Sequence, residues 1–127
     1  MTLRFFLPLK PPGLNGPKGL MRMHYRERVR LTEVFDLAVL AALPSRNLIP
    51  GPVRVTYTVH YARQPRDPDN LAASLKFPLD AVVKAGVLED DGPHVVAELV
   101  TRQIKVPRVK DEGCTLEIEQ LSPEETS

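Results

Sequence analysis

One cysteine, Cys114, stands among 127 residues. A lone thiol excludes an intrachain disulfide and a thiolate zinc cluster, and it suits a reducing cytoplasm. Long apolar runs are absent too. The N-terminal stretch Leu3-Arg4-Phe5-Phe6-Leu7 is interrupted by Arg4 and closed by Pro8, too short for a membrane span or the apolar part of a signal peptide. There is no internal repeat and no low-complexity segment. What remains is 43% apolar and 26% charged, the composition of a soluble single domain able to bury its own core, expected in the cytoplasm with no membrane partner.

Net charge is also scarce, at +1, but the sum hides a division. Up to Arg66 the chain holds eleven Lys and Arg against three acids; after it, six against thirteen. A basic half beside an acidic cluster fits a metal-dependent enzyme acting on a polyanion, since cations hold phosphates and carboxylates hold metal. Solvated surface charge is the plain alternative.

Leu3, Phe5 and Leu7 alternate as a first strand, ended by Pro8 and by Pro11-Pro12-Gly13. Residues 13–23 read as a loop whose glycines and Lys18 suit an approach to phosphate, or as a simple connector. From His24 to Leu43 apolar residues recur at three and four, predicting an amphipathic helix. Arg22, Arg26, Arg28 and Arg30 crowd its first turns, where the positive end of the dipole disfavours cations unless an anion such as DNA phosphate offsets them. Glu27 and Glu33 could do part of that as neighbours of Arg30. Val53 to Tyr61 alternates strictly, with His60 on the polar side as a surface residue or a phosphate contact. After Asp69, Leu71, Leu75, Leu79, Val82 and Val83 keep helical spacing to Gly86. Pro78 predicts a kink in that helix, or a helix proper that begins later. Residues 94–106 and 114–121 read as two strands joined as a hairpin across Pro107 to Gly113.

The chemistry is expected between Arg66-Asp67-Pro68-Asp69-Asn70 and Glu89-Asp90-Asp91. Pro68 restricts Asp67 to extended backbone, and residues two apart in an extended chain share a side, so Asp67 and Asp69 are expected to present their carboxylates together. Such a pair suits a hard divalent cation, with a third carboxylate from Asp90-Asp91. The plainer alternatives are a helix cap at Asp69, a turn at Asp90-Asp91 before Gly92-Pro93, and an i,i+4 ion pair between Lys76 and Asp80. Glu89 is a minor alternative ligand, and His94 has only its proximity to suggest a general base. An EF-hand loop is excluded, because Leu71 and Ala72 stand where an oxygen ligand and a glycine are needed.

The order strand, helix, strand, Asp67-x-Asp69-Asn70-Leu71, Lys76-x3-Asp80-Ala81, Ala85-Gly86-x3-Asp90-Asp91, strand, strand resembles the RusA family of Holliday junction resolvases. The early Pro11-Pro12 and Asn15 and the basic first helix extend the resemblance over most of the chain. It implies a homodimeric, Mg2+-dependent endonuclease, with Mn2+ as a substitute, that binds four-way DNA junctions and nicks opposed strands in recombination and repair. By residue matching, Asp67, Asp69 and Asp91 would be the essential metal carboxylates, Asp90 a supporting ligand and Lys76 the catalytic lysine. Lys18, Arg22, Arg26, Arg30 and Arg66 would contact DNA. The sequence departs from the family at the lysine, which stands seven residues after Asp69 where the family has four. Both offsets return to one helix face, the longer adding about 4.5 Å of rise, unless the extra residues loop out before the helix begins.

The fold expected is a single α+β domain over residues 1–121, with a mixed, mainly antiparallel sheet of about four strands packed against two main helices, and a disordered polar tail over 122–127. The alternatives to a junction resolvase are a catalytically weak or inactive DNA-binding protein of the same fold and a nuclease for other branched DNA.

Overall fold

The computed structural model describes residues 1–13 and 19–122, so Asn15, Lys18 and all but the first residue of the expected tail lie outside the described residues. Four strands, β1 (Thr2–Leu7), β2 (Val53–Tyr61), β3 (Val96–Lys105) and β4 (Gly113–Gln120), form one sheet in the order β1-β4-β2-β3. β4 runs antiparallel to both β1 and β2, whereas β3 runs parallel to β2. Alternation decides which side is covered. Leu3, Phe5 and Leu7, then Val53, Val55, Tyr57 and Val59, then Cys114, Leu116 and Ile118 all turn to one face and are buried there.

The helices cover that face. α1 (Tyr25–Ala42) sits down through Phe35 and Val39, and the Phe35 ring stacks on Phe77 at a centroid distance of 5.7 Å. The segment expected as one kinked helix is two: α2 (Pro68–Ala73) and α3 (Lys76–Lys84). Ser74 makes the break. Its fully buried hydroxyl donates to the Leu71 carbonyl at 2.7 Å and lies 2.7 Å from the Tyr57 hydroxyl. With the serine proton committed to Leu71, Tyr57 is the donor in the second bond, and the break is tied to the centre of the sheet. Pro78 then falls in the first turn of α3, where an N–H would have no partner within the helix, so it costs nothing there. α3 ends on Gly86 at φ +88°, with Gly86 N–H bonded to Val83 and Val87 N–H to Val82, a Schellman closure in which Val82 and Val87 are buried.

The expected hairpin of the last two strands is not formed. β2, α2, α3 and β3 make a crossover unit, which lays β3 parallel to β2 at the sheet edge, and β4 enters on the other side of β2. Burial separates the two: β4 is buried along most of its length, whereas β3 carries Glu98, Arg102 and Lys105 in exposed positions, as an edge tolerates. Among the described residues no helix is long and apolar enough to cross a membrane.

Candidate functional site

The approach to Asp67 is held at two points. The Ala62 N–H donates to the Glu112 carboxylate at 2.9 Å, and Lys10 Nζ reaches the same oxygen at 3.0 Å. These bonds hold the Glu112 carboxyl below the usual glutamate range, the Ala62 amide first and Lys10 second. Four residues on, the Gln103 side-chain amide acts as a strand would: its Oε1 accepts from Arg66 N–H at 2.7 Å and its Nε2 donates to Arg66 C=O at 2.8 Å. The backbone beside Asp67 is thereby fixed to the far end of β3.

Asp67 is extended, as Pro68 requires, at φ −63° and ψ 152°. The same proline opens α2, so Asp69 is helical and the period-two argument for a shared carboxylate direction does not apply. Neither acid is used by the fold. Asp67 makes no side-chain cap, both are exposed, and neither carboxylate has an ion pair or hydrogen bond among the described residues.

Arg66 itself is half-buried. Its Nη1 is fully buried with no hydrogen-bond partner, and burial, against Tyr57 and Cys114, lowers its pKa. A guanidinium nitrogen in that position is not presented to DNA. Burial also pushes the Cys114 thiol up to about 12, making it an inert core group.

Asp90 and Asp91 lie at the other end of the crossover. Val87 and Leu88 plug into the core, Val87 C=O accepts from Ile49 N–H at 2.8 Å, and Gly92 C=O receives the N–H groups of Val95 and Val96. Val95 C=O in turn accepts from Val53 N–H at 2.7 Å, so the turn sits against the first residues of β2 and β3. Asp90 has structural work: Oδ1 accepts the Asp91 N–H at 2.7 Å, and Oδ2 lies 3.5 Å from His94 Nε2. The Asp91 carboxylate has no such partner and is exposed. Glu89 is exposed beside it.

The two acidic ends are therefore separated by the β2/β3 ladder. From Val96, beside Asp91, to Gln103, beside Asp67, the strand advances seven residues, roughly 20 Å. Among the described residues no three His, Cys, Asp or Glu side chains stand close enough to hold one ion. One chain thus does not assemble Asp67, Asp69, Asp90 and Asp91 into the single Mg2+ shell expected of them.

Lys76 stands at the first position of α3, just after the break at Ser74. Its Nζ lies 3.4 Å from Asp80 Oδ2 in an exposed i,i+4 pair, worth a few tenths of a kcal/mol. Lys76 and Asp80 face α1 across a groove of about 460 Å³ that Tyr25, Arg28 and Lys84 also line. Arg22, in a short 3-10 helix, and Arg26 and Arg30 on α1 are exposed, as DNA contacts would need to be.

Sequence reasoning missed a polar group on the uncovered face of the sheet, where Arg4, Thr58, His60, Arg102, Thr115 and Glu117 meet. His60 is half-buried there, with Nε2 2.8 Å from Thr115 Oγ1 and its ring against the edge of Phe6. The alternation of β1 and β2 put Arg4, Thr58 and His60 on polar faces, but only the strand order brings those faces together. No family model matches the chain, and no curated protein matches it.

Proposed function

We propose that the protein is an endonuclease of branched DNA, acting on four-way junctions as a homodimer that depends on Mg2+ or Mn2+. The observation that carries this reading is the idleness of three acids. Asp90, Asp80, Asp36 and Glu112 each have a partner that explains them, whereas Asp67, Asp69 and Asp91 are exposed carboxylates without an ion pair or hydrogen bond among the described residues. The plain reading of Asp69 as a helix cap loses its support, because Asp69 lies inside α2 and the residue at the cap position, Asp67, makes no side-chain cap bond. Idle acids in a chain that also exposes Arg22 in its 3-10 helix and Arg26 and Arg30 on α1 suit a protein that binds a polyanion and a cation together.

The separation of the acids bears on how such a site is built. One chain holds Asp67 and Asp69 at one end of its crossover and Asp91 at the other, so a complete three-carboxylate site needs Asp67 and Asp69 of one protomer and Asp91 of the other. A two-fold dimer makes that exchange twice, giving two equivalent sites for two strands. A divalent ion there would supply charge neutralisation for phosphodiester hydrolysis. The protein's own contribution is to bind and orient the backbone through α1 and to hold Lys76 at the head of α3.

The same separation favours a second reading, a DNA-binding protein of this fold that does not cut. Cleavage of a synthetic four-way junction beside linear duplex and flap DNA distinguishes them, with Mg2+ or EDTA, in wild type and Asp69→Asn. The nuclease reading expects symmetric nicking of the junction, lost with EDTA and in the variant. Binding without nicking supports the second reading, and equal cutting of every substrate contradicts junction selectivity.

A further inference from the structure

The sheet face turned away from the helices carries a constellation that the acidic ends do not use, and the strand register defines it. Arg4 of β1 lies opposite Glu117 of β4, which lies opposite Thr56 of β2. One step along, Thr115 of β4 lies opposite Thr58 of β2, which lies opposite Arg102 of β3. His60 follows at the end of β2, and all of these line one concavity of about 160 Å³.

Its floor is hydroxyl and nearly closed to water. Thr58 and Thr115 are each 9% exposed. Thr115 is engaged by His60 Nε2, whereas the Thr58 side chain has no hydrogen bond among the described residues. Its hydroxyl is left facing the concavity.

The walls are cationic. Arg4 and Arg102 stand on the two outer strands, three strand spacings or roughly 14 Å apart. Both line the concavity and both are exposed. Neither has an ion pair or hydrogen bond among the described residues. Two like charges flanking one hydroxyl floor repel weakly while solvated, and the positive potential between them favours an anion. Glu117 lines the same wall and answers one of the two charges at most, and it is in ion-pair contact with neither arginine. The nearby imidazole does not add to the repulsion, since burial and then Arg4 keep His60 below its ordinary pKa.

We infer that this face binds a phosphate group, with Arg4 and Arg102 donating from opposite walls and the Thr58 hydroxyl donating from the floor. A tetrahedral oxyanion directs oxygens at both walls and the floor together, whereas a planar carboxylate is met from one side. The group could be free phosphate or a phosphodiester of a nucleic-acid backbone, and the inference does not rest on the protein being a nuclease.

The test is a titration of 15N-labelled protein with sodium phosphate, against sodium chloride at matched ionic strength, and separately with a short DNA duplex. Amides of residues 56–60, 100–104 and 113–117 should shift saturably with phosphate and not with chloride. The duplex moving the same amides assigns the site to backbone phosphate; phosphate alone moving them assigns it to the free ion. The double variant Arg4→Gln/Arg102→Gln should weaken phosphate binding on the order of tenfold per arginine. Thr58→Val, which keeps the shape of the floor, should weaken it several-fold with the rest of the spectrum unchanged. Equal shifts with chloride, or phosphate shifts that survive the double arginine variant, would overturn the inference.

Discussion

The acids proposed to hold metal are exposed and have no ion pair or hydrogen bond among the described residues. Asp69 is exposed at the start of α2 and its carboxylate makes no bond among the described residues, so Asp69→Asn should leave stability within about 0.5 kcal/mol of wild type in a denaturant titration. Any loss of function in that variant then belongs to chemistry rather than to folding. Glu112 is the opposite case. Its carboxylate ties Lys10 to the Ala62 amide, and its folded pKa lies below the ordinary value. A depressed carboxyl contributes stability that is complete above the unfolded glutamate pKa of 4.5 and is lost as pH falls through the lower folded value. Glu112→Gln should accordingly flatten the acid limb of the stability profile below about pH 4.5, measured by urea unfolding across pH, and an unchanged limb would contradict that role. At this scale the sequence was informative about which acids to watch but not about their directions. Pro68 both extends Asp67 and starts the helix that contains Asp69, and only the first effect entered the reading.

Elements are fixed here by a few polar and glycine positions on an apolar frame. The Tyr57–Ser74–Leu71 relay holds the α2/α3 break, and removing its two members should cost unequally. Tyr57→Phe deletes a donor that Ser74 does not need, at about 1 kcal/mol, whereas Ser74→Ala strands a buried phenol, at about 1–3 kcal/mol. Thermal or urea unfolding in which Tyr57→Phe is the costlier change would reverse the donor assignment. Gly113 opens β4 where a Cβ would collide with the Leu7 carbonyl and the Phe6 ring. Gly113→Ala should cost about 1–3 kcal/mol or shift the β1/β4 register, seen as altered Phe6 and His60 resonances. The strands and α1 were legible from period and punctuation, and the break was half legible from Pro78. The hairpin was misread because short sequence separation favours pairing. The sequence does not display that β2 takes the place beside β4, a choice made by the crossover and by the polarity of β3.

As a whole, the molecule is a small α+β domain whose covered face is its core, with polar groups at the two ends of one crossover, in the groove between α1 and α3, and on the open sheet face. The order of acids along the chain carried the functional reading, yet their distance in space follows from a parallel β2/β3 pair that periodicity does not reveal. If the acids complete one another only between protomers, complementation should expose it. Asp69→Asn and Asp91→Asn are prepared separately, mixed at equal amounts through a refolding step, and assayed for nicking of a four-way junction with Mg2+. Each variant alone should be inert. About half of all dimers are then mixed, and each of these carries both substitutions in one site and leaves the other intact, so the mixture should recover about a quarter of the wild-type nicking rate. A mixture as inert as its parents, beside an active wild type, would contradict the shared site.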